Sequence, residues 1–206
     1  MRPALPLLLL VPLSGCSTIA QPTRMVSETT MAWREVASES DRDRLRNWRS
    51  TFVAALAAAR NGGHAQDIAR EGALLDPDAT IGGGPIPNGA YRCRVIKIGA
   101  KSEGLLDYIA YPAFTCRVSP ERGLQKFAKL TGSQRQVGLI FPGDSMRQVF
   151  LGTLALGDEQ GAMQYGQDET RNVAGYVERI AADRWRLIMP RPHFESQMDV
   201  IELVPA

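Results

Sequence analysis

A histidine, a carboxylate and a hydroxyl stand close together near the carboxyl end of the chain, in Pro192-His193-Phe194-Glu195-Ser196. These residue types transfer protons, so His193 with Glu195 would suit general acid–base chemistry if the side chains converged in a cleft. The pattern supports the hypothesis of a hydrolase. The alternative is a loop histidine that packs on proline, and we prefer it because no further catalytic motif accompanies the stretch.

A second group of chemically useful residue types lies in residues 157–170. Its four carboxylates would suit a hard cation such as Ca²⁺, but their spacing matches no known calcium loop, so we predict no metal site. We predict instead that the loop recognises a partner through apolar contacts and an acidic rim. The plain alternative is a solvated connection between two strands. The residues concerned are Asp158, Glu159, Met163, Tyr165, Asp168 and Glu169.

The motifs that specify a reaction are missing from the sequence. It contains no Gly-x-Ser-x-Gly, His-Glu-x-x-His, Cys-x-x-Cys or phosphate-binding glycine loop. The formal net charge is only +2, and no basic stripe with interleaved aromatic residues occurs, which argues against a nucleic-acid partner. We therefore expect no cofactor, and a binding module is favoured over an enzyme.

The amino terminus predicts a compartment. Arg2 is followed by an apolar stretch over residues 4–13, and Leu13-Ser14-Gly15-Cys16 resembles the bacterial lipobox, in which the cysteine is acylated, with palmitate for example, after cleavage. The stretch is shorter than the roughly 20 apolar residues of a membrane span. We expect a signal peptide over residues 1–15 and a lipid anchor on Cys16, with the outer membrane favoured because Ser17 follows. The alternative is an ordinary signal peptide next to a chance cysteine.

Two further cysteines remain, and an exported chain meets an oxidising environment. Cys93 and Cys116 lie in stretches that alternate apolar and polar residues in the same phase, so two neighbouring strands would present both sulfurs on one face. We expect a disulfide. The competing interpretation is a reactive or metal-binding thiol pair, which the long spacing and the missing histidine partner disfavour.

The remaining elements divide into helices and then strands. Residues 16–30 are polar and aperiodic, which is typical of a flexible tether. Residues 31–80 contain a helix that we expect to be capped by Ser40 with Asp43 and to end at Asn61-Gly62-Gly63, followed by a short second helix over 65–74. Residues 90–206 contain eight or nine strand patterns with turn residues between them, which predicts an antiparallel, closed, calycin-like barrel of about eight strands. The class is α+β, mainly β, and Tyr91, Phe114, Phe127, Phe141 and Trp185 are expected to fill the barrel.

Several segments together resemble the bacterial domain-of-unknown-function family 4893 over roughly residues 33–205. They include Glu71-Gly72-Ala73-Leu74-Leu75-Asp76-Pro77, Tyr91-Arg92-Cys93-Arg94-Val95-Ile96-Lys97, Gly175-Tyr176-Val177-Glu178-Arg179-Ile180 and Arg184-Trp185-Arg186-Leu187. The resemblance implies no activity or catalytic residues. The lipobox, disulfide and barrel also resemble the architecture of periplasmic lysozyme inhibitors and barrel-type metalloprotease inhibitors, although architecture alone does not establish function.

The sequence therefore predicts an outer-membrane lipoprotein that faces the periplasm and acts as a binding module. The expected partners are the membrane, through Cys16, and a periplasmic protein or small-molecule ligand. The alternative is a cell-envelope hydrolase that uses His193 with Glu195.

Overall fold

A computed structural model describes Met1 and residues 32–206. The predicted signal peptide, Cys16 and the tether over residues 16–30 lie outside the described residues. None of the helices in the described part is long and apolar enough to cross a membrane.

Short helices precede the strands. Ser38 caps the first substantial helix by accepting a hydrogen bond from the Asp41 backbone N–H at 3.1 Å, so the expected cap at Ser40 is wrong by two residues. The expected continuous helix is interrupted at Asn47, whose backbone is not helical. The helical elements are α1 (Trp33–Val36), α2 (Glu39–Arg46), α3 (Trp48–Ala59), a π-helical turn (Arg60–His64), α4 (Ala65–Glu71) and a 3₁₀ turn (Gly72–Leu75).

Residues 89–205 form nine antiparallel strands, and eight of them close into a barrel. Each barrel strand pairs with the next along the chain, and β9 pairs back with β1 from Tyr91 opposite Pro205 to Ala100 opposite Ser196. β2 adds to the second half of β1, beyond β3. This confirms the predicted fold. The strands are β1 (Gly89–Ala100), β2 (Tyr108–Ala110), β3 (Phe114–Glu121), β4 (Leu124–Lys129), β5 (Gln134–Phe141), β6 (Arg147–Leu156), β7 (Asn172–Ala181), β8 (Arg184–Pro190) and β9 (Ser196–Pro205).

The interior of the barrel is a packed apolar cluster to which all eight barrel strands contribute. Cys93 and Cys116 face into it with their α-carbons 5.9 Å apart and their sulfurs at bonding distance, which fits a disulfide. Tyr91, Phe127 and Trp185 fill the interior as predicted. Phe141 does not, because it has the opposite phase from Ile140 and faces the outer wall.

The helices cover the barrel on two sides. Phe52, Leu56 and neighbouring residues of α3 pack on the outer faces of β1, β8 and β9, together with Leu74 and Leu75. A second cluster joins Ala37 and Leu45 to the outer faces of β5, β6 and β7. The helical segment therefore has no separate core, and its stability depends on the barrel wall.

A buried arginine fastens the helical segment to that wall. Arg186 lies on the outer face of β8 and is 0% exposed. Its guanidinium donates to the Glu178 carboxylate opposite it on β7, at 2.9 and 2.7 Å. It also donates to the carbonyls of Ala73, Leu74 and Asp76 at 3.0, 3.0 and 2.6 Å. One side chain therefore satisfies the carbonyls at the end of the helical segment.

We expect Arg186→Met to lower the free energy of unfolding by about 3–5 kcal/mol, because it leaves the Glu178 carboxylate and several carbonyls buried without their main donor. Urea unfolding monitored by circular dichroism measures the change. Arg186→Met with Glu178→Leu should be more stable than the single variant, since the buried charge is gone. Arg184→Met, two residues earlier, is the control and should cost about 1 kcal/mol or less, because its pair with Glu202 is partly exposed. Equal losses for Arg184→Met and Arg186→Met would contradict this assignment.

Candidate functional site

Polar side chains gather inside one end of the barrel, which we call the polar mouth. Strand alternation places them there: Lys97 has the same phase as Cys93 and Val95 in β1, and Lys129 the same phase as Phe127 in β4. Four of them are almost fully buried, namely Lys97, Lys129, Gln136 and Asp199. The polar mouth consists of Lys97, Lys129, Gln134, Gln136, Glu195 and Asp199.

Lys97 is the centre of an ionic cluster in the polar mouth. It lies directly opposite Asp199 in the β1–β9 pairing, and its Nζ is 3.4 Å from an Asp199 oxygen. The same Nζ is 2.8 Å from Glu195 Oε2 and donates to Gln134 Oε1 at 3.0 Å. Burial opposes the charge of Lys97, but Asp199 and Glu195 outweigh it and raise the pKa of the lysine. Lys97 is therefore held as a cation.

The carboxylates around Lys97 differ in environment. Burial raises the pKa of Asp199, with the Lys97 charge opposing it, and the Ser196 hydroxyl hydrogen-bonds to its second oxygen. Glu195 is exposed and reaches over the polar mouth from a residue with φ of 66°, in the left-handed region that non-glycine residues seldom adopt. The carboxylate closest to the Lys97 ammonium therefore belongs to Glu195, a loop residue with a strained backbone at the opening.

Lys129 lies on the opposite side of the polar mouth, with different partners. Its Nζ donates to the carbonyls of Thr131 and Gln134 at 2.8 and 2.9 Å, and it lies 3.7 Å from the centre of the Phe114 ring. Its contacts include no carboxylate among the described residues. Burial, assisted by Arg135 and Lys97, lowers the pKa of Lys129 to about 8. This amine loses its proton much closer to neutral pH than an ordinary lysine.

Gln136 is the polar group in this cluster that lacks a partner. It is 4% exposed, and within residues 32–206 its Oε1 accepts no hydrogen bond. It borders an open cleft of about 150 Å³ whose wall includes Tyr111, Phe114 and Lys129. It also borders a narrower crevice of about 20 Å³, which has room for a water molecule. The cleft beside the polar mouth therefore offers a molecule the Gln136 acceptor, the Lys129 ammonium and two aromatic rings.

The structure does not assemble His193, Glu195 and Ser196 into a hydrogen-bonded catalytic group. Glu195 binds Lys97 and Gln134, and the Ser196 hydroxyl binds Asp199. The His193 ring is exposed and packs edge-on against Phe194, with ring centres 4.8 Å apart. No hydrogen bond joins its imidazole to either residue in the described part of the chain.

The loop over residues 157–170 connects β6 to β7 near the polar mouth and then folds down the outer wall. Its predicted binding residues are dispersed. Glu159 pairs with Arg171 at 3.1 Å, and Asp168 accepts from Thr170 within its own turn. The Tyr165 hydroxyl donates to Asp41 at 2.5 Å, and burial together with this bond raises the pKa of Tyr165 to about 12.

Three of the six predicted binding residues in that loop are exposed, namely Asp158, Met163 and Glu169. Met163 borders an apolar groove of about 930 Å³ on the outer wall of β4, β5 and β6, which Val36 and Tyr165 also line. Among the described residues, His, Cys, Asp and Glu side chains form no cluster able to hold a metal ion. Recognition of a partner through this loop stays a prediction, now confined to the three exposed side chains.

A family model described as a domain of unknown function (DUF4893) matches residues 33–203. The chain belongs to this family. Comparison with curated proteins and with solved structures finds no significant match. The match confirms the resemblance seen in the sequence, and it covers both the helical segment and the barrel.

The polar mouth of this DUF4893 domain was not identified by motif analysis. Its residues come from β1, β4, β5, β9 and the loop before β9, so no short stretch of sequence contains them. A signal was nevertheless present: Lys97 is four residues after Cys93, and a strand that points Cys93 inward must also point Lys97 inward. An inward lysine on a barrel strand calls for a buried counter-charge, which Asp199 and Glu195 supply.

We expect the Lys129 pKa to appear as a pH-dependent stability difference in the DUF4893 domain. Because the folded-state pKa of about 8 lies below the ordinary 10.5, the buried ammonium costs stability below pH 8, and this cost disappears as pH rises from 8 to 10.5. The stability of Lys129→Met minus that of the wild type should therefore fall over that range. Urea unfolding at a series of pH values measures it, with Lys126→Met on the outer wall as control. A difference independent of pH would contradict the assignment.

Proposed function

We propose that this protein is a non-catalytic binding module of the cell envelope that holds a small polar ligand in the polar mouth. The observation that carries the proposal is Gln136, which lines the cleft and whose buried Oε1 has no hydrogen-bond partner among the described residues. A buried acceptor without a partner costs roughly 1–3 kcal/mol, so a ligand that donates a hydrogen bond there recovers that energy.

The charges of the polar mouth support the same proposal. A buried ion pair such as Lys97 with Asp199 seldom stabilises a fold more than apolar residues of equal volume would. The apolar cluster in the rest of the barrel shows that this sequence fills the interior with apolar side chains elsewhere. Retaining charge at the open end is consistent with a binding role.

The lining of the cleft suggests the chemistry of the ligand. Gln136 Oε1 requires a donor, such as a hydroxyl or an amide N–H, and Lys129 favours an acceptor or a negative charge. Tyr111 and Phe114 offer ring faces to the apolar side of a ligand. A small molecule that carries a hydroxyl and a carboxylate meets these requirements. Engineered cavities of about 150 Å³ hold a molecule as large as benzene.

Substitution of Gln136 tests whether this residue binds a ligand or stabilises the fold. We expect Gln136→Leu to raise the free energy of unfolding by about 1 kcal/mol, because it removes an unsatisfied acceptor, and to weaken ligand binding about tenfold. The screen uses saturation-transfer NMR with monosaccharides, uronic acids and small hydroxy acids, followed by calorimetric titration of any hit. Gln160→Leu, on an exposed loop, is the matched control and should change neither quantity.

Two results would contradict the proposal. If no member of the panel binds and Gln136→Leu destabilises the fold, Gln136 serves to hold a structural water in the crevice. If a ligand binds equally to both variants, its site lies outside the polar mouth.

The proposed location rests on the lipobox-like Leu13-Ser14-Gly15-Cys16, which lies outside the described residues. We propose that acyl chains on Cys16 anchor the protein in the outer membrane, on its periplasmic face. Each buried methylene contributes about 0.8 kcal/mol, so several chains hold a protein on a bilayer without a spanning helix. A polar tether over residues 17–30 would then leave the barrel free to meet ligands in the periplasm.

We expect Cys16→Ser to abolish acylation and release the protein from the membrane fraction or leave it unprocessed. Metabolic labelling with an alkyne fatty acid, followed by membrane fractionation, measures both effects. Cys93→Ser with Cys116→Ser is the matched control, since it removes the other cysteines and should leave labelling intact. Mature wild-type protein without label would refute the anchor.

A further inference from the structure

A second pocket lies at the opposite end of the barrel from the polar mouth, and we call it the Trp185 pocket. Residues 82–85 cross this end of the barrel and form one wall, and the connection between β5 and β6 forms another. The pocket has a volume of about 180 Å³. The residues that decide its chemistry are Gly83, Asp144, Arg179 and Trp185.

Trp185 supplies a buried donor. The residue is 6% exposed, and its indole Nε1 finds no acceptor among residues 32–206. Its ring is held edge-on by Tyr91, with ring centres 6.2 Å apart. Buried tryptophan N–H groups usually have a hydrogen-bond partner, so an unpartnered one beside a pocket indicates a missing acceptor.

Arg179 is held next to this donor by its own hydrogen bonds. Its Nε and Nη2 donate to the Ala182 carbonyl at 3.2 and 2.6 Å, and its guanidinium lies 5.8 Å from the centre of the Trp185 ring. Within the described residues, Nη1 donates no hydrogen bond. A β-carbon on Gly83 would lie 3.5 Å from Nη1, and a longer side chain there would occupy the space in front of it. Gly83 also has φ of 123°, which requires glycine.

The charged residues near the pocket are of both signs. Arg147 borders the pocket, but its guanidinium lies on the outer wall, with its central carbon 4.6 and 5.2 Å from the ring centres of Trp48 and Tyr176 and its Nε 3.3 Å from Glu178. Asp144 is the acidic residue in the lining, and one of its oxygens accepts from the Met146 and Arg147 backbone N–H groups.

We propose that the Trp185 pocket binds a small oxyanion, with the Trp185 indole N–H and Arg179 Nη1 as donors. Arginine recognises phosphate and carboxylate oxygens through charge-assisted hydrogen bonds, and the indole N–H adds a second donor at the same pocket. This site is separate from the polar mouth, and the proposal does not depend on the ligand of that site.

The test is a titration with inorganic phosphate and, separately, with acetate, at constant ionic strength. The indole N–H resonance of Trp185 is followed by ¹H–¹⁵N NMR of the purified protein. We expect this resonance to shift and saturate with at least one of the two anions, while that of Trp33 does not. Comparison of the two titrations distinguishes a phosphate from a carboxylate ligand. A Trp185 resonance that fails to move with either anion would overturn the proposal.

Two variants with opposite expected effects identify the charges involved. Arg179→Gln should weaken the affinity about tenfold, because it removes a charge-assisted hydrogen bond. Asp144→Asn should strengthen it, because it removes the acidic group of the lining while keeping an oxygen for the turn. Arg117→Gln, on the exposed outer face of β3, makes the same charge change and should leave the affinity unchanged. If Arg179→Gln does not fold, Asp144→Asn tests the proposal alone. An anion affinity of Asp144→Asn that is equal to or weaker than that of the wild type would contradict the proposed site.

Discussion

Closure of the sheet between β1 and β9 is the constraint on which the rest of the structure depends. Once these strands pair, every barrel strand has a neighbour on both sides, and alternate residues must point inward or outward. This pairing sets Lys97 opposite Asp199, and on the other side of β1 the pairing with β3 brings Cys93 next to Cys116. The ionic cluster and the disulfide therefore depend on the registers of the two strands that flank β1.

Buried charge is used in two different ways. On the outer wall, Arg186 and Glu178 are 0 and 1% exposed, and the arginine also satisfies backbone carbonyls of the helical segment, so this pair is a structural fastening. At the polar mouth, Lys97 instead shares its charge between Asp199 and the exposed Glu195, next to an open cleft. Bonds to the backbone of the helical segment indicate a structural role for Arg186, whereas an acceptor without a partner among the described residues, at the edge of an open cleft, indicates binding.

The two ends of the barrel present different buried polar groups. Within residues 32–206, the Gln136 acceptor at the polar mouth and the Trp185 donor at the Trp185 pocket have no hydrogen-bond partner. Between them the interior is apolar and packed, so the ends are chemically separate. A rigid barrel holds such groups in fixed positions, which limits the entropy that a ligand would lose in ordering them.

The sequence by itself determined the fold class, because periodicity and turn residues are local properties. The strand patterns of residues 90–206 lie close to the observed strands, and the shared phase around Cys93 and Cys116 placed both sulfurs on one face. The local pattern predicted the wrong helix cap where a tertiary contact determined the cap. Ser38 caps the helix in place of Ser40 and also donates its backbone N–H to Tyr165, a residue distant in sequence.

Only the tertiary structure decided where chemistry can occur. The sequence drew attention to His193 and to the carboxylates of residues 157–170, because those residues are clustered along the chain. Folding gives several of them separate partners: Glu159 binds Arg171, and Glu195 binds Lys97. It brings together Lys97, Lys129, Gln136 and Asp199, which are far apart in sequence and which strand register alone makes neighbours. Proximity along a chain is a property of the sequence, but proximity across a closed barrel exists only once β9 has paired with β1.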